Sequence, residues 1–201
     1  DVVEMVLSGS INKQIVSAIN AAGGTGIGIS GKDGGLIRAD RLKRTTRDPD
    51  SNIERIVDLG LVGEPKVISP HILEAFEDSD LIPVIAPIGT GPDGETLNIN
   101  ADTAAGAIAA ATRASRLYML TDVAGVLGKD GELITDLTLS EAQSIIESGV
   151  ITGGMIPKIE TCIDAIQSGV DGAAIVDGRV AHTVLVELFT AGGAGTLITR
   201  N

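Results

Sequence analysis

The sequence predicts an α/β fold, a three-layer α/β/α sandwich whose mainly parallel central sheet lies between helical layers. Helix-periodic segments alternate with short apolar runs along the chain, and the runs at 81–87 and 117–121 are nearly all apolar. Strands of this kind are covered on both faces, as in parallel sheets whose crossover helices pack on each side. The 201 residues are 43% hydrophobic but only 1% aromatic, so the predicted core is aliphatic.

The first half of the chain opens with helical periodicity. Apolar residues recur at three- and four-residue spacing up to Ile19 and predict two amphipathic helices that end at Gly23-Gly24. The elements predicted after them are a strand at 26–30, a turn at 32–35, a β-ribbon at 53–69, a helix at 70–78, a strand at 81–87 and a hairpin at 90–98.

The second half alternates helices and strands more regularly. Its predicted elements are an Ala/Gly-rich helix from Asp102 to about Ala114, a strand at 117–121, a hairpin turn at 128–131, a helix at 140–148, a helix after Gly153-Gly154, a strand at 173–176, a helix at 180–190 and a strand at 196–199. The run Ser-Glu-Ala-Gln at 140–143 is predicted to form a capping box. The pattern shows no linker, which predicts a single domain over 1–201.

The balance of charge narrows the range of partners. With 15 Lys and Arg against 27 Asp and Glu the formal charge is −12, which argues against nucleic acid or a membrane surface as partner. No apolar run approaches the roughly 20 residues that span a bilayer. The single cysteine, Cys162, fits a reducing cytoplasmic location, and we interpret it as a core residue. The chain has one basic run, which we interpret as a solvated hairpin or loop: Arg38, Arg41, Lys43, Arg44 and Arg47.

A Gly-x-Gly-x-x-Gly pattern occupies positions 26–31. A dinucleotide-binding fold needs this pattern between a strand and a helix, so that the helix N-terminus receives the pyrophosphate. Here a helix precedes the pattern and none is predicted after it. We therefore interpret the glycines as part of a closely packed strand. The chain has no Walker A sequence either.

Polar residues follow the predicted central strands, at the sheet edge where open α/β folds bind ligands. Asn98, Asn100 and Asp102 lie where a strand passes into a helix, and either ligand binding or capping by Asn100 or Asp102 explains them. Residues 121–126 follow the next strand. Lys158, one turn into a helix, either neutralises phosphoryl charge beside the helix dipole or is an exposed lysine. Together these positions suit a nucleotide and an acidic co-substrate.

Five segments carry a family resemblance when taken together. They are Asn-Ile-Asn-Ala-Asp at 98–102, Leu-Thr-Asp-Val-Ala-Gly-Val at 120–126, Ile-Thr-Gly-Gly-Met-Ile-Pro-Lys at 151–158, Ser-Gly-Lys-Asp-Gly-Gly at 30–35 and Gly-Thr-Leu-Ile at 195–198. In this order the chain resembles the acetylglutamate kinases of the amino acid kinase family. The resemblance implies transfer of the ATP γ-phosphoryl group to the side-chain carboxylate of N-acetyl-L-glutamate, a step of arginine biosynthesis. Mg²⁺ would be carried by the ATP phosphates.

The resemblance also implies roles for individual residues. Lys158 would stabilise charge on the transferring phosphoryl group, Asp102 would organise the catalytic lysines by charge pairing, and Asn98 would hydrogen-bond acetylglutamate. No metal held by the protein itself is implied. The residues that would border the nucleotide are Asp122, Val123, Ala124, Gly125, Val126, Leu127, Val150, Ile151 and Thr152. A site of this kind works by positioning and electrostatics.

Members of the family begin with a strand that carries a second catalytic lysine, followed by a Gly-rich loop and an arginine for the substrate carboxylate. None of these precedes Asp1, so we expect an amino acid kinase domain that lacks its N-terminal strand and loops. A polypeptide truly cut at Asp1 is expected to be inactive. Another activity of the family, such as that of carbamate kinase, glutamate 5-kinase or aspartokinase, stays open as an alternative.

The segment 181–195 resembles the part of arginine-inhibited members that holds the inhibitor. It contains His182, and there Glu187 would pair with the cationic end of L-arginine while backbone near Gly193 would accept hydrogen bonds. This implies feedback inhibition by arginine in a homodimer or in a hexamer built as a trimer of dimers. A non-catalytic module that binds arginine or the PII signalling protein is the remaining alternative.

Overall fold

The computed structural model of the chain describes residues 1–47, 54–190 and 192–201. The chain divides into two compact units, unit 1 (Asp1–Ala104) and unit 2 (Ala105–Asn201), and each is described by itself. Helices and parallel strand pairs occur in both units, which confirms the predicted α/β class. The single domain over 1–201 stays a prediction.

Unit 1 opens with one continuous helical run, so the prediction of two separate helices is wrong. Helix α1 (Val2–Glu4) passes into a π-helical segment (Met5–Ile11) and then into α2 (Asn12–Ala21). The backbone stays right-handed helical at the first junction, with a φ of −59° at Met5, so no turn separates the segments. The predicted end is confirmed, because Gly23 adopts a φ of +92° just after α2.

A parallel pair of strands packs against α2. Strands β1 (Thr25–Ser30) and β4 (Leu81–Ala86) pair in parallel, in agreement with the apolar character of the second strand. Asn12 is 2% exposed, and its side-chain amide donates hydrogen bonds to the carbonyl oxygens of Ile29 (3.2 Å) and Val84 (2.8 Å). One helix residue therefore holds both strands.

The rest of the sheet structure of unit 1 is a closed four-stranded barrel, which the sequence analysis does not predict. The barrel order is β2-β3-β6-β5, with β2 (Ile37–Arg47), β3 (Glu54–Ile68), β5 (Ile88–Thr90) and β6 (Thr96–Ile99). The antiparallel β5-β6 pair confirms the predicted hairpin. In place of the ribbon predicted at 53–69, residues 54–68 form the single long strand β3, which pairs antiparallel with β2, the strand that carries the basic run. Parallel contacts of β2 with β5 and of β3 with β6 close the barrel.

The helix between β3 and β4 is shorter than predicted. Helix α3 covers His71–Glu74, whereas the sequence analysis extends it to 78. Beyond Glu74 the backbone bonds span three residues instead of four, as in the bond from the Ser79 amide to the Phe76 carbonyl (3.0 Å). The Ser79 hydroxyl also donates to that carbonyl, at 2.7 Å. These turns replace the last helical turn before β4.

The glycine pattern at 26–31 lies in a closely packed strand end, as interpreted from the sequence. A Cβ atom on Gly31 would lie 2.2 Å from the carbonyl oxygen of Ile88, so only glycine fits there. A three-residue 3₁₀ turn, Asp33–Gly35, and then β2 follow the pattern. The helix that a dinucleotide fold requires after these glycines is therefore not present in 31–47.

Unit 2 contains a four-stranded sheet in the order β7-β9-β10-β8. Its strands are β7 (Arg116–Thr121), β8 (Asp136–Thr138), β9 (Gly172–Asp177) and β10 (Gly195–Thr199). The β7-β9 and β8-β10 pairs are parallel, and the β9-β10 pair is antiparallel. This sheet is therefore mainly parallel, as predicted.

The helices of the second half are α4 (Ala101–Ala111), α5 (Leu139–Glu147), α6 (Met155–Gln167) and α7 (Thr183–Phe189). The small residues of α4 allow close approach to another helix: a Cβ on Gly106 would lie 2.5 Å from Thr161 of α6. The aliphatic core of unit 2 includes Cys162, which is fully buried as predicted. Within the described residues, no helix is both long and apolar enough to cross a bilayer.

The capping box of α5 begins two residues earlier than predicted. The hydroxyl of Thr138, not of Ser140, accepts the hydrogen bond from the Glu141 amide (3.3 Å). The Glu141 carboxylate in return accepts the Thr138 amide at 2.8 Å. Because Glu141 rather than Gln143 occupies the third helical position, the motif is shifted toward the N-terminus.

Candidate functional site

Asn98 lies on β6, where alternate residues face opposite sides. Leu97 and Ile99 are buried, whereas Thr96 and Asn98 are half-buried on the other face. Asn98 stands opposite Ile88 of β5 in the antiparallel register. The barrel core thus fixes the strand by its apolar face and leaves the Asn98 amide available on the other.

The next polar residues begin α4. The side-chain oxygen of Asn100 accepts the Thr103 amide at 3.1 Å, so the alternative of helix capping is confirmed for Asn100. Asp102 lies half-buried in the first turn, where the positive end of the helix dipole favours a carboxylate. The structure thus separates a capping residue from two residues that remain candidates, Asn98 and Asp102.

A charged cluster beside Asn98 has no counterpart in the sequence analysis. The Lys32 ammonium donates to Glu4 Oε1 (2.8 Å) and to Thr96 Oγ1 (2.9 Å), and the Thr96 hydroxyl donates to Glu4 Oε2 (3.1 Å). These hydrogen bonds, first from Lys32 and then from Thr96, hold the pKa of Glu4 below its ordinary value. The cluster ties the N-terminal helix to the strand that carries Asn98.

In unit 2, the proposed nucleotide segment 122–127 leaves the end of β7. Asp122, Val123 and Ala124 are exposed, while Val126 is fully buried and belongs to the core. At the base of the segment the buried Thr121 hydroxyl accepts the Val123 amide at 3.2 Å. The segment is therefore anchored at its ends and open to solvent between them.

The second proposed nucleotide segment, 150–152, meets the first in the same core. Ile151 is 6% exposed and belongs to the same hydrophobic cluster as Val126. A wide, shallow pocket of about 560 Å³ is lined by Val150 and by residues between Gly128 and Ser148. Of the residues assigned to the nucleotide, Val126 and Ile151 share one core and Val150 lines this pocket.

Lys158 lies in the first turn of α6, a 13-residue helix that begins after Gly154. Its side chain is half-buried, whereas Glu160 two residues further is exposed. The positive field of a helix N-terminus acts at this turn together with the ammonium charge. The helix field and the ammonium charge both favour an anionic group. The partial burial of Lys158 argues against the alternative of a fully exposed lysine.

An ion pair at the end of β9 is not predicted from the sequence. The Arg179 guanidinium donates to both carboxylate oxygens of Asp177, at 2.9 and 2.8 Å, and the Arg179 amide donates to the same group. These bonds lower the pKa of Asp177 to about 2. Because Asp177 pairs with Thr121 across the parallel register, the pair lies beside the segment 122–127. The sequence Asp-Gly-Arg after a buried strand was the available signal.

The three residues assigned to arginine binding lie on and around α7. His182 precedes the helix in a left-handed conformation, with a φ of +62°. Glu187 turns back to the following loop, where its carboxylate accepts the Ala194 amide at 2.6 Å. A Cβ on Gly193 would lie 2.7 Å from that carboxylate, so the structure brings Glu187 and Gly193 together.

In 1–47, 54–190 and 192–201, no three His, Cys, Asp or Glu side chains come together in a way that could hold a metal ion.

Residues 1–177 match the amino acid kinase family, and the chain belongs to it. The chain is 65% identical over 198 residues to the acetylglutamate kinase of Rhodospirillum rubrum, a match that covers 98% of this chain and 64% of that protein. It therefore spans just under two thirds of the length of that relative.

Two solved structures are similar as well. The crystal structure of smu.665 from Streptococcus mutans UA159 matches with a TM-score of 0.74 and 30% identity, over 98% of this chain and 70% of that one. The N-acetylglutamate synthase of Neisseria gonorrhoeae, solved with coenzyme A and L-arginine, matches with a TM-score of 0.68 and 26% identity, over 86% of this chain and 37% of that one.

Proposed function

We propose that the protein is an acetylglutamate kinase, which transfers the γ-phosphoryl group of ATP to the side-chain carboxylate of N-acetyl-L-glutamate. The observation that carries this proposal is the 65% identity to an acetylglutamate kinase along nearly the whole chain. The product would be N-acetyl-L-glutamyl 5-phosphate, an intermediate of arginine biosynthesis. A cytoplasmic location is part of the same proposal.

The residues proposed to bind the nucleotide belong to unit 2. The segments 122–127 and 150–152 would border ATP, and the pocket of about 560 Å³ that Val150 lines supports this proposal. Mg²⁺ would enter with the ATP phosphates, as part of the substrate. Lys158 would stabilise the charge that develops on the transferring phosphoryl group, since a half-buried ammonium at a helix N-terminus acts more strongly than one in water.

The residues proposed to act on the acceptor, Asn98 and Asp102, belong to unit 1. Asn98 would hydrogen-bond acetylglutamate, because its amide lies on the open face of β6 while the opposite face is locked in the barrel core. Asp102 would organise the catalytic lysines by charge pairing. The transfer needs no covalent enzyme intermediate, since fixed charges and alignment of the acceptor carboxylate supply the rate enhancement.

Regulation by L-arginine is the second part of the proposal. It rests on the approach of Glu187 to Gly193 and on the similarity to a synthase solved with L-arginine. The carboxylate of Glu187 would exchange its bond to the Ala194 amide for the cationic end of the inhibitor. A homodimer or hexamer and binding of PII stay predictions.

The test is a comparison of phosphoryl acceptors in the full-length protein. ADP release from MgATP is measured with N-acetyl-L-glutamate, L-glutamate, L-aspartate and carbamate. The proposal predicts the highest kcat/KM with N-acetyl-L-glutamate. A higher value with another acceptor would assign the protein to another amino acid kinase, and arginine binding without ATP binding would indicate a regulatory module.

A further inference from the structure

The side chain of Thr196 on β10 stands between two backbone groups of the hairpin that begins at the nucleotide segment. Its hydroxyl accepts the amide of Val126 at 2.8 Å and donates to the carbonyl oxygen of Ile134 at 2.6 Å. In the other direction, the Ile134 amide donates directly to the Val126 carbonyl at 2.9 Å. The hydroxyl therefore occupies the place of the second direct bond that an antiparallel pair would form.

The two hydrogen bonds of the Thr196 hydroxyl set the distance between the backbones of Val126 and Ile134, and thus the opening of the hairpin. Without the hydroxyl, Val126 and Ile134 could approach until their backbones bonded twice, or they would leave one buried amide and one buried carbonyl unpaired. Thr196 is 0% exposed, so no solvent substitutes for it. Ile134 and Gly128 both line the pocket of about 560 Å³, which means that the opening of this hairpin shapes the pocket.

Gly125 shows how closely the segment is pressed against Thr196. A Cβ on Gly125 would lie 2.7 Å from Thr196 Oγ1 and 3.1 Å from the Thr196 amide nitrogen. Gly125 also has a φ of +149°, a conformation that residues with a side chain rarely adopt. The backbone between Thr121 and Val126 thus follows the surface that Thr196 provides.

We propose that Thr196 is a positioning residue of the nucleotide site, which holds segment 122–127 at the opening that ATP requires. The inference rests on the proposed function only in its choice of ligand. Thr196 acts through the backbone of Val126 and Ile134. Loss of its hydroxyl should therefore weaken nucleotide binding and leave binding of the acceptor unchanged. The conservative serine retains the hydroxyl and should retain the function.

The main test compares Thr196→Val with Thr196→Ser and with the wild type in the full-length protein. Valine keeps the shape of threonine but lacks the hydroxyl. Calorimetric titration with MgATP is expected to give a Kd roughly tenfold higher for Thr196→Val, because a small displacement of positioning groups weakens a site strongly. Thr196→Ser should bind within about twofold of the wild type, and KM for N-acetyl-L-glutamate should stay unchanged in both.

The matched control is Thr183→Val, at a threonine that is also buried, at 4% exposure. Its hydroxyl has no hydrogen-bond partner within the described part of the chain, so the same chemical change there should leave the Kd for MgATP at the wild-type value. Should Thr196→Val fail to fold, Gly125→Ala displaces the same segment from the other side. It should raise the same Kd.

The outcomes are decisive. A folded Thr196→Val protein with the wild-type Kd and KM for ATP overturns the inference, and so does a wild-type Kd in Gly125→Ala if Thr196→Val does not fold. An equal rise in KM for both substrates overturns it too, because that result indicates a general structural defect. If the wild type binds MgATP but does not phosphorylate acetylglutamate, the proposed function fails while the Kd comparison still tests Thr196.

Discussion

Lys158 is the residue whose replacement should affect the chemical step most. Removing a charge that acts in the transition state is expected to lower kcat by about 10²- to 10³-fold, with a smaller change in KM for ATP. Steady-state kinetics of Lys158→Ala measures both parameters. Lys66→Ala is the control, because Lys66 is an exposed lysine of β3 that pairs with Asp40, and it should keep the wild-type kcat. A Lys158→Ala enzyme with more than a tenth of the wild-type kcat would contradict the assignment.

The Asp177–Arg179 pair should make stability depend on pH in the acid range. The pKa of Asp177 lies at about 2 in the folded protein, below its ordinary value of 3.8. A lowered pKa contributes stability above the unfolded-state pKa and loses it as the pH falls through the folded-state pKa. The Tm of the wild type should therefore exceed that of Asp177→Asn at neutral pH. This difference in Tm should shrink from about pH 4 to about pH 2.

The control for this pH profile is Asp171→Asn, an exposed residue at the start of the same strand region. Its difference from the wild type should be small at neutral pH. A gap between wild type and Asp177→Asn that stays constant down to pH 2 would show that the ion pair does not account for it.

Residue roles could be predicted where the partner is close in sequence. The capping role of Asn100, one of two alternatives, needs only the amide of Thr103, three residues away. The bonds of Lys32 to Glu4 and Thr96 join residues 28 and 64 positions apart. No local pattern contains such information, because these contacts arise only after the strands have paired. The same holds for Thr196 and Val126, which are 70 positions apart.

At the scale of elements, the N-terminus of α5 provides a stability test. Thr138→Ala removes one half of the capping box and should lower the free energy of unfolding by about 1 kcal/mol. Urea unfolding measures this change. Ser140→Ala serves as the control, because the Ser140 hydroxyl does not cap the helix, and its effect should stay within about 0.5 kcal/mol. If Ser140→Ala cost more than Thr138→Ala, the cap would be at the position expected from sequence alone.

The hydrophobic periodicity of the sequence predicted most helices and strands. It did not predict how some strands pair or that the N-terminal helices are continuous. The strand at 172–177 is buried on both faces, and its apolar run leaves a clear signal in the sequence. The expectation that the runs at 81–87 and 117–121 are covered on both faces is wrong, because Ile82 and Leu120 are exposed. The barrel depends on single contacts between distant strands, such as Arg38 with Thr90, for which the sequence carries no marker. The π-helical segment joins the two predicted helices into one continuous run, which the spacing of apolar residues does not reveal.

At the scale of the whole molecule, the division into two compact units has no signal in the sequence. The boundary between Ala104 and Ala105 falls inside α4, an unbroken helix, so neither a linker nor a change of composition marks it. Two glycines, in contrast, have a local explanation. Gly31 and Gly106 each lie where a Cβ would meet another element at 2.5 Å or less.

The proposed activity is tested most directly by the identity of the phosphorylated product. The most direct measurement is to incubate the full-length protein with MgATP and N-acetyl-L-glutamate in hydroxylamine, which converts an acyl phosphate into a hydroxamate. Mass spectrometry of the trapped product should show the hydroxamate of the N-acetyl-L-glutamate side chain, dependent on Lys158. A folded protein that binds MgATP yet yields no such hydroxamate, or yields one from a different acceptor, would contradict the proposed activity.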